Sequence, residues 1–173
     1  MFTIGRISAL AAVSAGLLSL AVVAGASPAS AASPQGEVFI LNEGNDQVLD
    51  VAEGHVRPNA AVITYARHGG ENQKWFVERQ EDGTFHIVSS ENPSLCVGAD
   101  SPHVGAGQVR LHGCDQQDAQ RWRFSPAGGG AGVFESAEYP GLSLAAVDED
   151  SGTVLDRTDF NDASQRWSFP SAS

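Results

Sequence analysis

The chain has 173 residues and a formal net charge of −11 at pH 7, from 21 Asp and Glu against 10 Lys and Arg. A charge of this sign repels nucleic acid and anionic membrane surfaces at long range, so neither is expected as a partner.

The first 31 residues are typical of a secretory signal peptide. Arg6 precedes an apolar stretch rich in Ala, Ser and Gly, which ends on the small residues Ala29-Ser30-Ala31. No later stretch is apolar enough to serve as a second membrane span. We therefore expect cleavage near Ala31 or Ala32 and a secreted, extracellular protein without membrane insertion. Its mature length of about 141 residues is that of one ordinary domain.

The remaining sequence, residues 36–173, is predicted to form one all-β domain. Short runs rich in β-branched and aromatic residues alternate with Gly, Pro, Asn and Asp, and no long helical period is present. In chain order the runs are VFIL, QVLDV, AVITY, KWFV, FHIV, SLCV, QVRLH, RWRF, GVF, LSLA, TVLDR and RWSF. This pattern predicts about twelve short strands.

A Gln-x-Trp triplet recurs three times along these runs, at intervals of 47 and 45 residues. The copies are Gln73-Lys74-Trp75, Gln120-Arg121-Trp122 and Gln165-Arg166-Trp167. An apolar residue also occupies one shared upstream position in each copy: Phe39, Ile87 and Phe134. The sequence therefore contains three repeats, at about 36–83, 84–131 and 132–173, each of about four strands.

A repeat of this size does not bury its own apolar face, so the three are expected to share one core in a closed, pseudo-threefold arrangement. We expect the Trp side chains of the triplets to fill that core, each with its indole N–H bonded. The Gln side chains offer a donor and an acceptor to backbone groups outside the strand ladders. We therefore interpret the triplet primarily as a structural element of the fold.

Two cysteines, Cys96 and Cys114, lie 18 positions apart in a chain that is predicted to be exported. An oxidising compartment favours a disulfide between them. Zinc needs more ligands than this pair, and the five His are scattered, so we expect neither a metal nor another cofactor. The acidic run Asp148-Glu149-Asp150 is interpreted as a solvated turn, because calcium loops need alternating oxygen ligands and a Gly-enforced bend.

The three triplets, in register with their upstream positions, resemble the ricin B-type lectins. These are secreted β-trefoils built from three repeats of about this length, and the resemblance covers essentially the whole mature chain. It implies a free-standing sugar-binding module. In that family a working repeat has three functional side chains: an Asp that accepts hydrogen bonds from sugar hydroxyls, an aromatic residue that stacks on the sugar, and an Asn directly before the Gln-x-Trp.

Repeat one fills every one of these positions. Asp50 lies in the run Val48-Leu49-Asp50-Val51, Tyr65 ends the run AVITY, and Asn72 precedes Gln73. The resemblance therefore implies a sugar site made by Asp50, Tyr65, Asn72 and Gln73. One departure is Ile63, where the family often has a Gln.

Repeat two has Gly98 and Ala119 in place of the Asp and the Asn, and His112 at the aromatic position. Asp100, two residues later than the usual Asp, and His112 are the candidates for a weak second site. The family's disulfide within a repeat falls at Cys96 and Cys114, which supports the pairing.

Repeat three has Ala145, Arg157 and Ser164 at the corresponding positions, so none of the functional side chains is present. We interpret this repeat as structural.

The function predicted from these residues is sugar binding through repeat one, with a galactose-type or pentose-containing glycan as the partner. Catalysis is not expected, because the mature chain has no Gly-x-Ser-x-Gly elbow, no His-Glu-x-x-His and no phosphate-binding Gly loop. The alternative is a protein-binding module or protease inhibitor that acts through its loops. The candidate loops are GHVRPNA, PAGGGAG and DEDSG, of which the Gly-rich tract 127–132 is more simply a flexible connector.

Overall fold

The computed structural model describes residues 34–100, 109–115, 117–148 and 150–173. These residues belong to one compact unit. The predicted signal peptide, residues 1–31, lies outside the described residues. Within the described ranges, no helix is both long and apolar enough to cross a membrane.

The described residues form twelve strands and four short 3-10 turns, which confirms the all-β prediction. The strands are β1 Leu41–Asn42, β2 Val48–Val51, β3 Val62–Tyr65, β4 Trp75–Arg79, β5 Phe85–Ser89, β6 Leu95–Ala99, β7 Val109–Gly113, β8 Trp122–Gly128, β9 Ala131–Ser136, β10 Leu142–Ala146, β11 Thr153–Arg157 and β12 Arg166–Ser168. The 3-10 turns are Ala52–Gly54, Glu71–Gln73, Asp118–Gln120 and Ala163–Gln165. The last three each end on the Gln of a Gln-x-Trp triplet.

Six of the strands form a closed barrel. Strands β1, β12, β9, β8, β5 and β4 pair antiparallel in that order. Val38, just before β1, completes the ring, because its N–H donates to the carbonyl of Trp75 at 2.9 Å and its own carbonyl accepts the N–H of Trp75 at 3.0 Å. Closure leaves no open edge in this ring.

The other six strands form three hairpins, β2–β3, β6–β7 and β10–β11, one in each repeat. The hairpins contact one another: Ala61 bridges to Arg110, and Thr153 Oγ1 donates to the carbonyl of Val62 at 2.9 Å. A six-stranded barrel with three hairpins related by a pseudo-threefold axis is a β-trefoil, as predicted.

The Trp side chains of the triplets fill the shared core, and each is at most 1% exposed. Each indole Nε1 donates at 3.0 Å to a main-chain carbonyl of the second strand of its own repeat: Trp75 to Leu49, Trp122 to Val97, and Trp167 to Leu144. The same contact in three repeats anchors each hairpin to the core.

The Gln side chains of the triplets hold the segment between the third strand and the 3-10 turn. Each Nε2 donates to a carbonyl at or just after the end of that strand: Ala66 for Gln73, Gly113 for Gln120 and Arg157 for Gln165. Each Oε1 accepts a main-chain N–H farther along: His68, Asp115 and Asp159. Backbone groups outside the ladders are thereby satisfied.

Cys96 and Cys114 form the predicted disulfide. Repeat three has Ser143 and Thr158 at the same two positions, and their hydroxyl oxygens lie 2.7 Å apart in a hydrogen bond. The β6–β7 and β10–β11 hairpins are therefore tied at the same place by different chemistry.

The Gly-rich tract is not the flexible connector that its composition predicts. Pro126 pairs with Gly132 and Gly128 with Ala131, so the tract forms the turn of the β8–β9 hairpin, with a register shift between Pro126 and Gly128. Residues 128–130 have φ angles of 93°, 64° and 88°. Glycine adopts these angles without steric cost, which lets the chain reverse tightly.

Candidate sugar-binding site

The residues that the sequence predicted for repeat one meet at one end of the β2–β3 hairpin. Asp50 lies in β2, Tyr65 ends β3, and Asn72 and Gln73 belong to the 3-10 turn before β4. Asp50, Tyr65 and Asn72 line a pocket of about 430 Å³, called here the Asp50 pocket, whose walls also include Glu53, Ile63 and His68.

Asp50 is the polar centre of the pocket and is only 3% exposed. Its Oδ1 accepts the Nδ2 amide of Asn72 at 2.9 Å, and its Oδ2 accepts the Nε2 amide of Gln73 at 2.8 Å. Burial raises the pKa of the Asp50 carboxyl, while the Gln73 hydrogen bond and the nearby His68 act to lower it. A carboxylate offers about four lone-pair positions, so Asp50 keeps acceptor capacity for a ligand hydroxyl.

Gln73 supports Asp50 from behind the pocket. It is fully buried, and its Nε2 donates both to Asp50 and to the carbonyl of Ala66. Its Oε1 accepts the main-chain N–H groups of His68 and Gly69 at 2.9 and 3.1 Å. Because all of these groups are engaged inside the protein, Gln73 acts as a positioning residue that orients the carboxylate.

Asn72 lines the pocket, and its side-chain amide nitrogen is hydrogen-bonded within the protein. Nδ2 donates to Asp50 Oδ1 and, at 3.3 Å, to the carbonyl of Val51. The side-chain Oδ1 is therefore the group that Asn72 offers to a ligand, as an acceptor. Gly70 leaves room for it, since a Cβ at position 70 would lie 2.6 Å from Asn72 Oδ1 and 2.7 Å from His68 Cε1.

Tyr65 supplies an aromatic surface beside the buried carboxylate. It is 41% exposed, which is unusual for a large apolar side chain in this core-rich fold. Its ring meets the His68 ring edge-on, with centroids 6.0 Å apart and an interplanar angle of 71°. An exposed ring face next to a carboxylate suits a ligand that is apolar on one face and hydroxylated at its rim.

His68 belongs to the site although the sequence interpretation did not include it. Its Nδ1 accepts the N–H of Gly70 at 3.2 Å, so in the neutral ring the proton is on Nε2, which lies 3.4 Å from Asp50 Oδ2. The imidazole is about half exposed at the pocket. The one feature of the sequence that could have indicated its position is the Gly69-Gly70 pair that follows it, because glycines favour a turn that brings the chain back.

Repeat two does not reproduce this arrangement. A Cβ at Gly98 would lie 2.8 Å from Cδ2 of His112, so the imidazole occupies the space that a carboxylate would need. The structure does bring the second-site candidates together, with Asp100 Oδ1 at 2.7 Å from His112 Nε2 and Asp100 Oδ2 at 3.2 Å from Arg110 Nε. Both oxygens of Asp100 are therefore already engaged by neighbouring side chains.

The pocket beside Asp100 and His112 is larger, at about 610 Å³, but its polar groups are arranged differently. The second N–H of the Gln120 amide, which in repeat one goes to the buried carboxylate, here goes to Asp115 Oδ1 at 2.8 Å. Asp115 is exposed, and it also binds the side chain of Gln117 at 2.9 Å. In repeat two the Gln side chain therefore still donates to a carboxylate, but this carboxylate belongs to an exposed residue and not to a buried one.

Repeat three corrects one position of the sequence alignment. Tyr65 pairs with Val48 and His112 with Cys96, and at the equivalent place Asp156 pairs with Ser143. Asp156, rather than Arg157, therefore occupies the aromatic position. The segment from this residue to the Gln of the triplet is one residue longer in repeat three than in the other two repeats. Counting back from Gln165 without a gap therefore reaches Arg157 instead of Asp156.

The acidic run of repeat three serves as a link between repeats. Asp150 Oδ1 accepts the Nε2 amide of Gln47 at 2.8 Å, and its main-chain N–H donates to Gln47 Oε1 at 2.9 Å. Glu149 lies outside the described residues. Within the residues that the structure describes, no group of three or more His, Cys, Asp or Glu side chains is placed to hold a metal ion.

Comparison with known proteins gives the same fold and a family. Solved structures with a similar fold include the designed threefold-symmetric protein ThreeFoil (20% identity, 78% of this chain and 98% of that chain, TM-score 0.71). A Macrolepiota procera ricin B-like lectin in complex with lactose is 19% identical over 81% of this chain and 98% of that chain, with a TM-score of 0.62. The C-half of the earthworm R-type lectin in complex with GalNAc is 18% identical over 78% and 97% of the two chains, with a TM-score of 0.59.

No curated protein matches the sequence. The family model of the ricin-type β-trefoil lectin domain matches residues 36–167, well over half of the chain. The protein therefore belongs to the family of ricin-type β-trefoil lectin domains.

Proposed function

We propose that the protein is a secreted carbohydrate-binding module, without catalytic activity, that holds one sugar residue of an oligo- or polysaccharide in the Asp50 pocket. The observation that carries the proposal is the buried carboxylate of Asp50, oriented by two amides, beside the exposed ring of Tyr65. Membership in a lectin family supports it. So do the two fold neighbours that were solved with lactose and GalNAc.

The pocket chemistry matches a pyranose in two respects. One face of the sugar is rich in C–H groups and gains from contact with a flat aromatic ring, the role given to Tyr65. The rim of the sugar carries vicinal hydroxyls, which donate to the Asp50 carboxylate and to Asn72 Oδ1. His68 Nε2, which lies 3.4 Å from Asp50 Oδ2, adds a donor beside the carboxylate.

A single shallow site of this kind binds weakly, with a Kd of about 1 mM, or roughly −4 kcal/mol. Useful binding then comes from many equivalent residues along a polymer, which raises the effective concentration at the site. We therefore propose a polysaccharide with galactose, N-acetylgalactosamine, xylose or arabinose units as the partner. Repeat two, with Asp100 and His112, remains the candidate for a weaker second site.

The test is a glycan array followed by titration calorimetry of wild type and Asp50→Ala with the strongest array ligand. Asp156→Ala is the matched control, because it removes a carboxylate from the equivalent hairpin of repeat three. Loss of binding in Asp50→Ala alone, with an unchanged circular dichroism spectrum, supports the proposal. Equal affinity in wild type and Asp50→Ala, with the fold intact, would place the site elsewhere.

A further inference from the structure

A second, smaller pocket adjoins the Asp50 pocket on the other side of the 52–54 turn. Its volume is about 240 Å³, and His55, Arg57, Asn59 and Arg110 contribute to its walls. Glu53 lines both pockets and so forms the wall between them. We call the smaller one the cationic pocket. Because the two pockets share Glu53, the cationic pocket is the neighbouring space for a sugar chain that extends from the Asp50 pocket past that residue.

The backbone holds Arg57 in this pocket through a β-turn. The carbonyl of Arg57 accepts the N–H of Ala60 at 3.1 Å, Pro58 is the second residue of the turn, and Asn59 has a φ of 65°. Proline followed by a residue with positive φ is the signature of a type II turn. The Asn59 N–H also donates to the carbonyl of Leu111 at 2.7 Å, so the turn is fixed to the neighbouring hairpin.

The charges of the cationic pocket differ from those of the rest of the molecule. Arg110 Nη1 donates to the carbonyl of Asn59 at 3.1 Å, and Arg110 Nε lies 3.2 Å from Asp100 Oδ2. Arg57 is exposed and makes no ion pair with any residue that the structure describes. Because Arg110 is paired with Asp100, and Glu53 also lines the pocket, Arg57 supplies the guanidinium that is available to an anion in a chain with a net charge of −11.

We propose that the cationic pocket binds the carboxylate or sulfate of a sugar residue next to the one held at Asp50. This inference rests on the proposed function. A guanidinium recognises carboxylate and sulfate oxygens through paired N–H donors, and the fixed turn reduces the entropy lost on binding. The ligand class is then a mainly neutral polysaccharide with isolated acidic residues, because the overall negative charge repels a polyanion.

The experiment is titration calorimetry of the full mature chain with galactotriose and xylotetraose, each with and without one glucuronate residue. Monosulfated galactotriose separates sulfate from carboxylate recognition. At low ionic strength, wild type is expected to bind the acidic form about fivefold more tightly than the neutral form, the effect of one exposed ion pair. That preference shrinks with added salt, because exposed charges are screened.

Arg57→Gln is expected to abolish the preference without changing the affinity for the neutral form. Arg79→Gln, which removes an exposed arginine at the end of β4, is the control and keeps the preference. Glu53→Gln is expected to increase the preference for the acidic oligosaccharide, because the negative charge between the two pockets is removed.

Equal affinity of wild type for acidic and neutral forms, or a preference that survives Arg57→Gln, overturns this inference. If the neutral forms still bind and Asp50→Ala abolishes that binding, the proposed function stands without it. If wild type binds none of these oligosaccharides, neutral or acidic, this inference fails, and the glycan array decides the proposed function separately.

Discussion

Replacing Asp50 with Asn separates the charge of the pocket from its shape, since the two side chains have nearly the same size. Both carboxylate oxygens currently accept amide donors, Asn72 Nδ2 at 2.9 Å and Gln73 Nε2 at 2.8 Å. In the variant one oxygen becomes an NH₂ group, which must face one of those two donors. One hydrogen bond at the site is therefore lost.

The expected loss in affinity follows from the ligand contacts that remain. A hydrogen bond from a sugar hydroxyl to a charged acceptor contributes about 1.5–3 kcal/mol, which corresponds to roughly tenfold to a hundredfold in Kd. From a starting Kd of about 1 mM, Asp50→Asn is expected to bind too weakly for calorimetry to detect.

The expected loss in stability is smaller than that of an ordinary buried defect. An unpaired buried donor costs about 1–3 kcal/mol. The substitution also removes a charge whose burial is unfavourable, as the raised pKa of Asp50 indicates, and this offsets part of the cost. Urea unfolding monitored by circular dichroism, together with calorimetry, measures both quantities. Affinity within twofold of wild type would refute the assignment of Asp50 as the main acceptor, and Asp156→Asn, in the equivalent hairpin of repeat three, is the control for a general charge effect.

Three further predictions follow from the same contacts. Binding should weaken as the pH falls through the raised pKa of Asp50, because the protonated carboxyl loses acceptor capacity; titration calorimetry across acidic pH checks this. Since the folded pKa of Asp50 lies above the unfolded value of 3.8, its contribution to stability is largest below that pH and is lost as pH rises through the folded pKa. Protonation of Asp50 in acid therefore does not lower the free energy of unfolding, and the loss of sugar binding in acid is expected without destabilisation by this group. Trp122→Ala should lower the free energy of unfolding by about 3–5 kcal/mol, as a large core deletion; normal stability in urea unfolding would contradict the shared core. Gly70→Ala should reduce the free energy of sugar binding by more than the free energy of unfolding, because the added Cβ would lie 2.6 Å from Asn72 Oδ1 and displace this acceptor. Unchanged affinity in calorimetry would show that Asn72 Oδ1 does not contact the ligand.

The fold could be predicted from the sequence because its main constraint is repeated. Three copies of Gln-x-Trp fix three equivalent positions, and the Trp and Gln side chains make the same backbone contacts in every repeat. The disulfide could be predicted because only two cysteines are present. Asp50, Tyr65 and Asn72 could be brought together because the resemblance to the lectin family assigns all three positions to one site, and the structure places them at one pocket.

Other parts of the site depend on geometry that no local pattern encodes. His68 reaches Asp50 because Gly69, with a φ of 81°, lets the chain turn back after β3. The cationic pocket joins Arg57 of repeat one to Arg110 of repeat two through the carbonyl of Asn59, a contact between distant parts of the chain. The equivalence of Asp156 was missed because a one-residue difference in loop length is invisible to an ungapped comparison.

Comparison of the three repeats supports the proposed role of Asp50. In repeat three the Nε2 of Gln165 bonds to the carbonyl of Arg157 and its Oε1 to the N–H of Asp159, which closes the same segment without any buried carboxylate. The trefoil therefore does not require an acid at this position. A carboxylate that is 3% exposed and has a raised pKa is unfavourable for folding, and its presence in repeat one therefore supports the proposal that Asp50 binds a ligand. The same comparison separates Gln73 and Trp75, which have counterparts in every repeat, from Asp50 and Asn72, which only repeat one has and to which we assign the proposed sugar site.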